Sequence, residues 1–306
     1  MKPNIYAKAA LCSEQINTKL SIGCDGIEIQ LLDELTINRQ NGIYRAAANA
    51  YDLTGLRDVP VSAVHAPLMC DDGYITLETI IDPKDMKLLE QIFSIANYYG
   101  MQQNKNIPVI LHSEVFYYML ADMGNMWARV VRSVDAVLSR FQRTELLIEN
   151  VTPLRGIAEG RTLHLSNNFT FDNVRLAVEL RNLLKTTRIG TCLDVCHAMI
   201  SKQYVDGIYK VLNTLPAPDL CLEEYYQQNV DVLKLVHLST FSGNGYGDGQ
   251  HSIGFTRETA TSLCEILRMH SQFAETVPIT IATVESDYAK STNYRDTKRL
   301  VDEYYA

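Results

Sequence analysis

Residues 190–199 read GTCLDVCHAM and set an acid, Asp194, three residues before a histidine, His197, at the end of an apolar run. Other apolar runs end the same way. His65 stands near the end of VSAVHAPL, His112 and Glu114 end IPVILHSE, and Glu149 ends ELLIENV. His237 ends VLKLVHLS, Glu285 ends PITIATVES, and Asp248 and His251 follow in DGQHSIG. Each residue alone is an ordinary polar group at a strand end. Together, several histidines and carboxylates are costly to bury unless they are paired or coordinated. A divalent cation offsets the carboxylate charge and takes a lone pair from each imidazole. A mixed His/Asp/Glu set suits Zn²⁺, Mn²⁺, Co²⁺ or Fe²⁺ better than Mg²⁺ or Ca²⁺.

These residues need a scaffold that brings strand ends together. Eight β-rich runs occur, at 4–11, 26–32, 61–68, 107–114, 145–151, 188–198, 232–239 and 278–286. Segments with helical spacing lie between them, at 83–100, 126–141, 172–185, 257–270 and 291–305. The first carries Met86, Leu89, Ile92, Phe93 and Ala96 on one stripe, with Asp82 as cap and Pro83 at its first turn. Eight strands alternating with helices predict an α/β fold, a single (β/α)8 TIM barrel filling residues 1–306. A doubly wound sheet would carry a glycine-rich loop after its first strand, and CSEQINTK has none. The stretch 33–60 gives no clear helix boundary. In such a barrel the ends of the strands form the functional face, where the acids and histidines fall.

The bulk properties narrow the partners. Hydrophobic content is 46% and net charge −8, so the chain lacks the broad basic footprint of a protein held mainly by phosphate contacts. Seven cysteines, an odd number without framework spacing, read as reduced thiols. Cys192 and Cys196, if both extended, are about 13 Å apart, too far to share a metal or a disulfide. They read as buried, inert thiols. The N-terminus shows no apolar signal region, and no run approaches the roughly 20 residues of a membrane span. A cytoplasmic protein with no membrane partner is expected.

The motifs VHAPL, ILHSE, LIENV, CLDVCHA, VHLS, DGQHSIG and VES, in that order, resemble the xylose isomerase-like TIM barrels, the AP endonuclease family 2 superfamily. The resemblance runs from the second strand to the last. In its isomerase and epimerase branch it implies one metal held by Glu149, Asp194, His237 and Glu285, with the two glutamates also moving protons as catalytic residues and His197 binding substrate. In its endonuclease IV branch it implies three zinc ions, with His65, His112, His197 and the loop pair Asp248 and His251 as further ligands. One to three divalent ions per chain, zinc or manganese first, follow. The loop departs from the family pattern, which sets the histidine four residues before the glycine. Counting back from Gly254 gives Gln250, whereas one inserted residue would make His251 the ligand. Arg155 stands where epimerases often carry a carboxylate; it suits an anionic substrate group or a surface ion pair. Glu28 is either an acid at the mouth or a structural acid of the barrel interior. Glu114 sits beside His112 as a further substrate contact.

The expected activity is a divalent-metal-dependent isomerisation or epimerisation of a sugar, sugar phosphate or related polyol, by proton transfer alpha to a carbonyl. The alternative is an endonuclease IV-like zinc phosphodiesterase acting on abasic DNA. Against it, LDELTINRQNG carries one arginine and SGNGYGDG has no basic residue. A barrel with a different or lost activity is the third reading, since fold alone does not fix function. Association into a homo-oligomer is compatible with the resemblance, and the sequence points to no face for it.

Overall fold

A computed structural model of the chain describes all residues except 1, 33–36, 41–42, 47–55, 68, 71–72, 75–82, 113–122, 153, 156–163, 166–171, 213–220 and 244–249. Eight parallel strands close into a barrel: β1 (Ile5–Ala10), β2 (Gly26–Gln30), β3 (Val61–His65), β4 (Ile107–His112), β5 (Thr144–Glu149), β6 (Ile189–Asp194), β7 (Leu233–Leu238) and β8 (Ile279–Ile281). Each strand pairs in parallel with the next, and β8 closes on β1 through Ile5↔Ile279. The helices are α1 (Ser13–Ile22), α2 (Pro83–Gln103), α3 (Met123–Arg140), α4 (Asp172–Leu184), α5 (Val195–Leu212), α6 (Leu222–Asn229), α7 (Ala260–Phe273) and α8 (Thr292–Tyr305). The (β/α)8 expectation holds.

Three details differ from the sequence reading. CSEQINTK lies in helix α1, so a helix follows the first strand directly. The unclear stretch after β2 contains an antiparallel pair, Ile37–Gln40 with Ile43–Ala46. The run at 188–198 is a strand only to Asp194, and α5 begins at Val195. Cys196 therefore stands in a helix, and the extended-chain spacing of the cysteine pair does not apply. Both thiols are buried, and burial pushes each up to about 12, so they are protonated and inert as expected.

Side chains alternate across a strand, so every second residue faces the barrel axis. The inward positions form two layers. The lower layer is an apolar plug of Ala63, Ile110, Leu147, Cys192 and Leu235, with Tyr6 packed against it. Two residues further along the same strands stand Lys8, His65, His112, Glu149, Asp194 and His237. The plug closes the floor, and the titratable ring sits on it. The outward faces of the strands pack on the helices, where Ile5, Ile27, Ile29, Val61, Val109, Ile148 and Ile189 are fully buried. Strands covered on both sides read as near-continuous apolar runs, which is why they were visible. At Gly190 a Cβ would meet the Val232 carbonyl oxygen at 2.6 Å, so β6 and the entry to β7 approach as closely as they do only with glycine there.

Candidate active site

Asp194 and His197 are joined by helix capping. Asp194 precedes α5, and its Oδ1 accepts the His197 backbone N–H at 2.7 Å, the bond of an N-cap residue. Its Oδ2 stays on the barrel side, 3.7 Å from His237 Nδ1 and 3.9 Å from His197 Nδ1. Asn150, just after β5, ties the corner down. It accepts from Asp194 N–H at 2.7 Å, donates to the Asp194 carbonyl at 2.9 Å, and its own carbonyl lies 2.9 Å from His197 Nδ1. Asp–x–x–His spacing is thus the length of one capped helical turn.

Glu149 is the centre of the cluster. Its Oε2 lies 3.0 Å from His65 Nε2 and 3.5 Å from His112 Nε2. Its Oε1 lies 3.3 Å from His237 Nδ1 and 3.5 Å from His197 Nδ1. Burial alone would raise its pKa, but His237 and His112 outweigh burial and hold it well below the usual carboxylate range. Asp194 is held down as well, against burial, chiefly by His197. Burial lowers His65 and brings His112 and His251 to about 4, so these three rings are neutral at pH 7. His237 is held well above its ordinary value: burial is outweighed by Cys192, Glu28 and Glu149.

The donor set fits a divalent cation on two counts. His65 Nδ1 lies 2.8 Å from the Ala66 carbonyl, which can only accept, so Nδ1 carries the proton and Nε2 is a lone pair. That lone pair faces a carboxylate oxygen at 3.0 Å. Two acceptors so placed repel unless a cation lies beside them. Second, ligands held tetrahedrally at about 2.0–2.2 Å stand about 3.3–3.6 Å from one another, close to the spacings around Glu149. The His65–His112–Glu149 and Glu149–Asp194–His197 groups each bring their ligand atoms within 4.8 Å of one another, and they share Glu149. A third group, Glu149–Cys192–His237, involves the protonated thiol.

A cavity of about 290 Å³ opens over this ring. Lys8, Gln15, Gln30, His65, His112, Glu149, Asp194, His197 and His251 line it, together with Ser252, Ala282, Thr283 and Tyr288. His251 stacks on His197 with ring centroids 5.6 Å apart and planes 4° apart. Gln250 is exposed. His251, rather than Gln250, therefore faces the site.

Two sequence assignments do not reach the cavity. Glu285 is buried on the far side of the β8–α8 corner. Its Oε1 accepts from Lys19 Nζ at 3.1 Å, Thr283 Oγ1 at 3.0 Å and Tyr294 N–H at 2.8 Å, and its Oε2 accepts from Asn293 N–H at 2.9 Å. It serves as the cap of α8, whose preceding residue Ser291 makes no side-chain cap bond. The residues after this strand that line the cavity are Ala282, Thr283 and Val284, with Ala282 two past Thr280. Glu28 is fully buried, level with Lys8 of the ring on one side and with Ala63 of the plug on the other, and it does not line the cavity. Asp248 and Glu114 lie outside the described residues. Arg155 is in a short hairpin with His164, and its side chain is likewise outside them. Lys8, Asn150, Gln15 and Gln30 went unmarked in the sequence. The signal for Lys8 was available: it is the inward residue two past Tyr6.

No family model matches the chain. A probable endonuclease 4 from Halothermothrix orenii is 24% identical over 174 residues, covering 46% of this chain and 58% of that protein, so the match spans little more than half of its length. Solved structures resemble the whole chain. A D-tagatose 3-epimerase-like protein is 14% identical with TM-score 0.58, over 99% of this chain and 100% of that one. The D-allulose 3-epimerase from Methylomonas sp. is 13% identical with TM-score 0.59, over 99% and 98%. A 3-keto-D-glucoside 4-epimerase from E. coli is 15% identical with TM-score 0.54, over 99% and 100%. The likeness of motifs is matched by a likeness of fold. No helix among the described residues is long and apolar enough to cross a membrane.

Proposed function

We propose that the protein is a divalent-metal-dependent isomerase or epimerase of a sugar, sugar phosphate or related polyol. The observation that carries this reading is the cavity of about 290 Å³ set directly on the Glu149 cluster, with an apolar wall and a few polar side chains over the titratable ring. Its size suits one small molecule, and its glutamine, serine, threonine and tyrosine groups suit hydroxyls. The sugar epimerases of like fold lend the substrate class. His65, His112, Glu149, Asp194, His197 and His237 would hold the metal, with zinc or manganese the best suited. When bound, the metal polarises the substrate's carbonyl and hydroxyl oxygens and so acidifies the carbon-bound proton.

Glu149 is the base for that proton in this reading. It is ionised at neutral pH because His237 and His112 hold its pKa low against burial, and as a weak base it depends on the metal's acidification of the carbon-bound proton. Glu285 was the expected second proton carrier, but its oxygens already accept four hydrogen bonds on the far side of the corner. His251, standing at the cavity wall against His197, takes that role instead, drawing from solvent the proton it hands to the opposite face. Lys8 lines the cavity with its ammonium 3.4 Å from Glu28 Oε1.

A second reading, an endonuclease IV-like phosphodiesterase, is favoured by one observation. Two possible metal groups share Glu149, and adjoining ions suit in-line displacement at phosphorus. The net charge of −8 weighs against DNA as its substrate. The test supplies zinc- or manganese-loaded protein with a panel of ketoses and their phosphates in D₂O. The proposed function predicts deuterium at the carbon alpha to the carbonyl, with appearance of the epimer or isomer. Cleavage of duplex DNA with an abasic site, without any exchange, would replace it by the second reading.

A further inference from the structure

Each histidine of the cluster has a second ring nitrogen, and whatever holds that nitrogen decides how the ring presents the first. His65 and His197 are held by backbone carbonyls, of Ala66 and Asn150. His237 is held differently. Its Nε2 lies 2.9 Å from Glu28 Oε2, while its Nδ1 faces Glu149 at 3.3 Å and Asp194 at 3.7 Å. Neither Glu28 nor His237 has any side-chain exposure. The other oxygen of Glu28 has no hydrogen-bond partner among the described residues, and Lys8 Nζ stands 3.4 Å from it. Lys8 is partly exposed in the cavity wall, so it joins the substrate space to a carboxylate that does not line it.

We infer that Glu28 is the positioning residue of His237. It accepts the Nε2 proton, fixes the ring plane and aims Nδ1 at Glu149 and Asp194, the nitrogen that gives up its proton when a metal binds. Lys8 balances its charge. The inference rests on the metal reading given above. A carboxylate behind a metal-binding imidazole fixes its tautomer and raises its basicity, which a carbonyl does less strongly. It also gives the site a second glutamate beside Glu149, reached from β2, where β8 supplies Ala282.

Zn²⁺ affinity is measured by chelator competition on the full-length wild-type chain and on Glu28→Ala and Glu28→Gln. In parallel, side-chain ¹⁵N spectra of histidine-labelled wild type are recorded metal-free and with Zn²⁺, the His237 signals being assigned from a His237→Gln variant. The proposal predicts a proton on His237 Nε2 in both states and a metal-shifted Nδ1 in the second. It predicts a roughly 10–100-fold loss of affinity in Glu28→Ala, the scale of outer-shell partners. Glu28→Gln, whose amide oxygen still accepts, recovers part of the loss. Affinity in Glu28→Ala within twofold of wild type overturns it, as does a Zn²⁺-loaded Nε2 without a proton. Should Glu28→Ala fail to fold, the wild-type spectra decide alone by the same criterion. A wild type that takes up no Zn²⁺ overturns the metal reading, and this inference with it.

Discussion

Two corners of the barrel carry a carboxylate at or just past a strand end, and they use it in opposite ways. At the β6–α5 corner, Asp194 caps the helix with one oxygen and keeps the other on the site. At the β8–α8 corner, Glu285 caps the helix with both oxygens and takes two side-chain donors besides. The difference is one of parity and reach. Asp194 is itself an inward strand residue, so a single bond to the first helical turn leaves its outer oxygen over the plug. Glu285 lies four residues past the end of β8, and Lys19, a buried residue of α1, needs it as a counter-charge. A carboxylate at a strand end is available for chemistry only when the donors around it are fewer than its lone pairs.

Substitutions should separate the two corners. The largest effect is expected at the centre of the site. Glu149→Gln should lower turnover on whichever substrate the panel identifies by about 10²–10⁴-fold, the range of a positioned base, with the fold intact by circular dichroism. Turnover near wild type would remove Glu149 from the chemistry. Next comes Glu285→Gln, which leaves the Lys19 ammonium buried without its counter-charge. It should lower unfolding stability by about 3–5 kcal/mol in denaturant titration while leaving bound metal unchanged. Asp194→Asn should do the reverse. Asparagine caps as well as aspartate, so stability moves by a few tenths of a kcal/mol at most, while Zn²⁺ affinity falls by at least about tenfold.

The pH dependence of the metal-free protein sharpens the same contrast. His112 and His251 are held near 4 by burial, below their ordinary 6.5. The unfolded chain therefore binds more protons than the folded one between these values. The contribution of these two histidines is full above pH 6.5, falls as pH drops toward 4, and levels off below, where protonation of the depressed carboxylates Glu149 and Asp194 continues the loss. The slope is up to about 1.4 kcal/mol per pH unit for each histidine. His237 is raised and acts oppositely, favouring the fold below 6.5 and losing that contribution as pH rises through its folded value. Urea unfolding in pH steps should show a shallower fall for His112→Asn and His251→Asn than for wild type. The smallest effect belongs to Gln250→Ala: activity within twofold of wild type. A larger loss would put Gln250, rather than His251, at the site.

Much of the site was legible because it follows a period of two. Counting alternate residues from the plug reaches His65, His112, Glu149, Asp194 and His237 without any structure. The same count reaches Lys8, passed over because one lysine in an apolar run looks like an interruption. The count also warns against Glu285, since inward Thr280 leads to Ala282. Motif order masked that warning, because VES stands where the family places a glutamate. Whether Gln250 or His251 faces the cavity depended on the path of a loop, which no spacing rule fixes. The role of Asn150, which bridges β5 to the α5 corner, depended on contacts between residues 44 apart in sequence.

The most direct test is metal content by elemental analysis, on wild type, Glu149→Gln and Glu285→Gln purified without added metal or chelator. A site centred on Glu149 and excluding Glu285 predicts zinc, manganese, cobalt or iron in wild type, the same content in Glu285→Gln, and little or none in Glu149→Gln. Loss of metal in Glu285→Gln with retention in Glu149→Gln would contradict the account, as would a wild type that holds no metal and takes up none on titration.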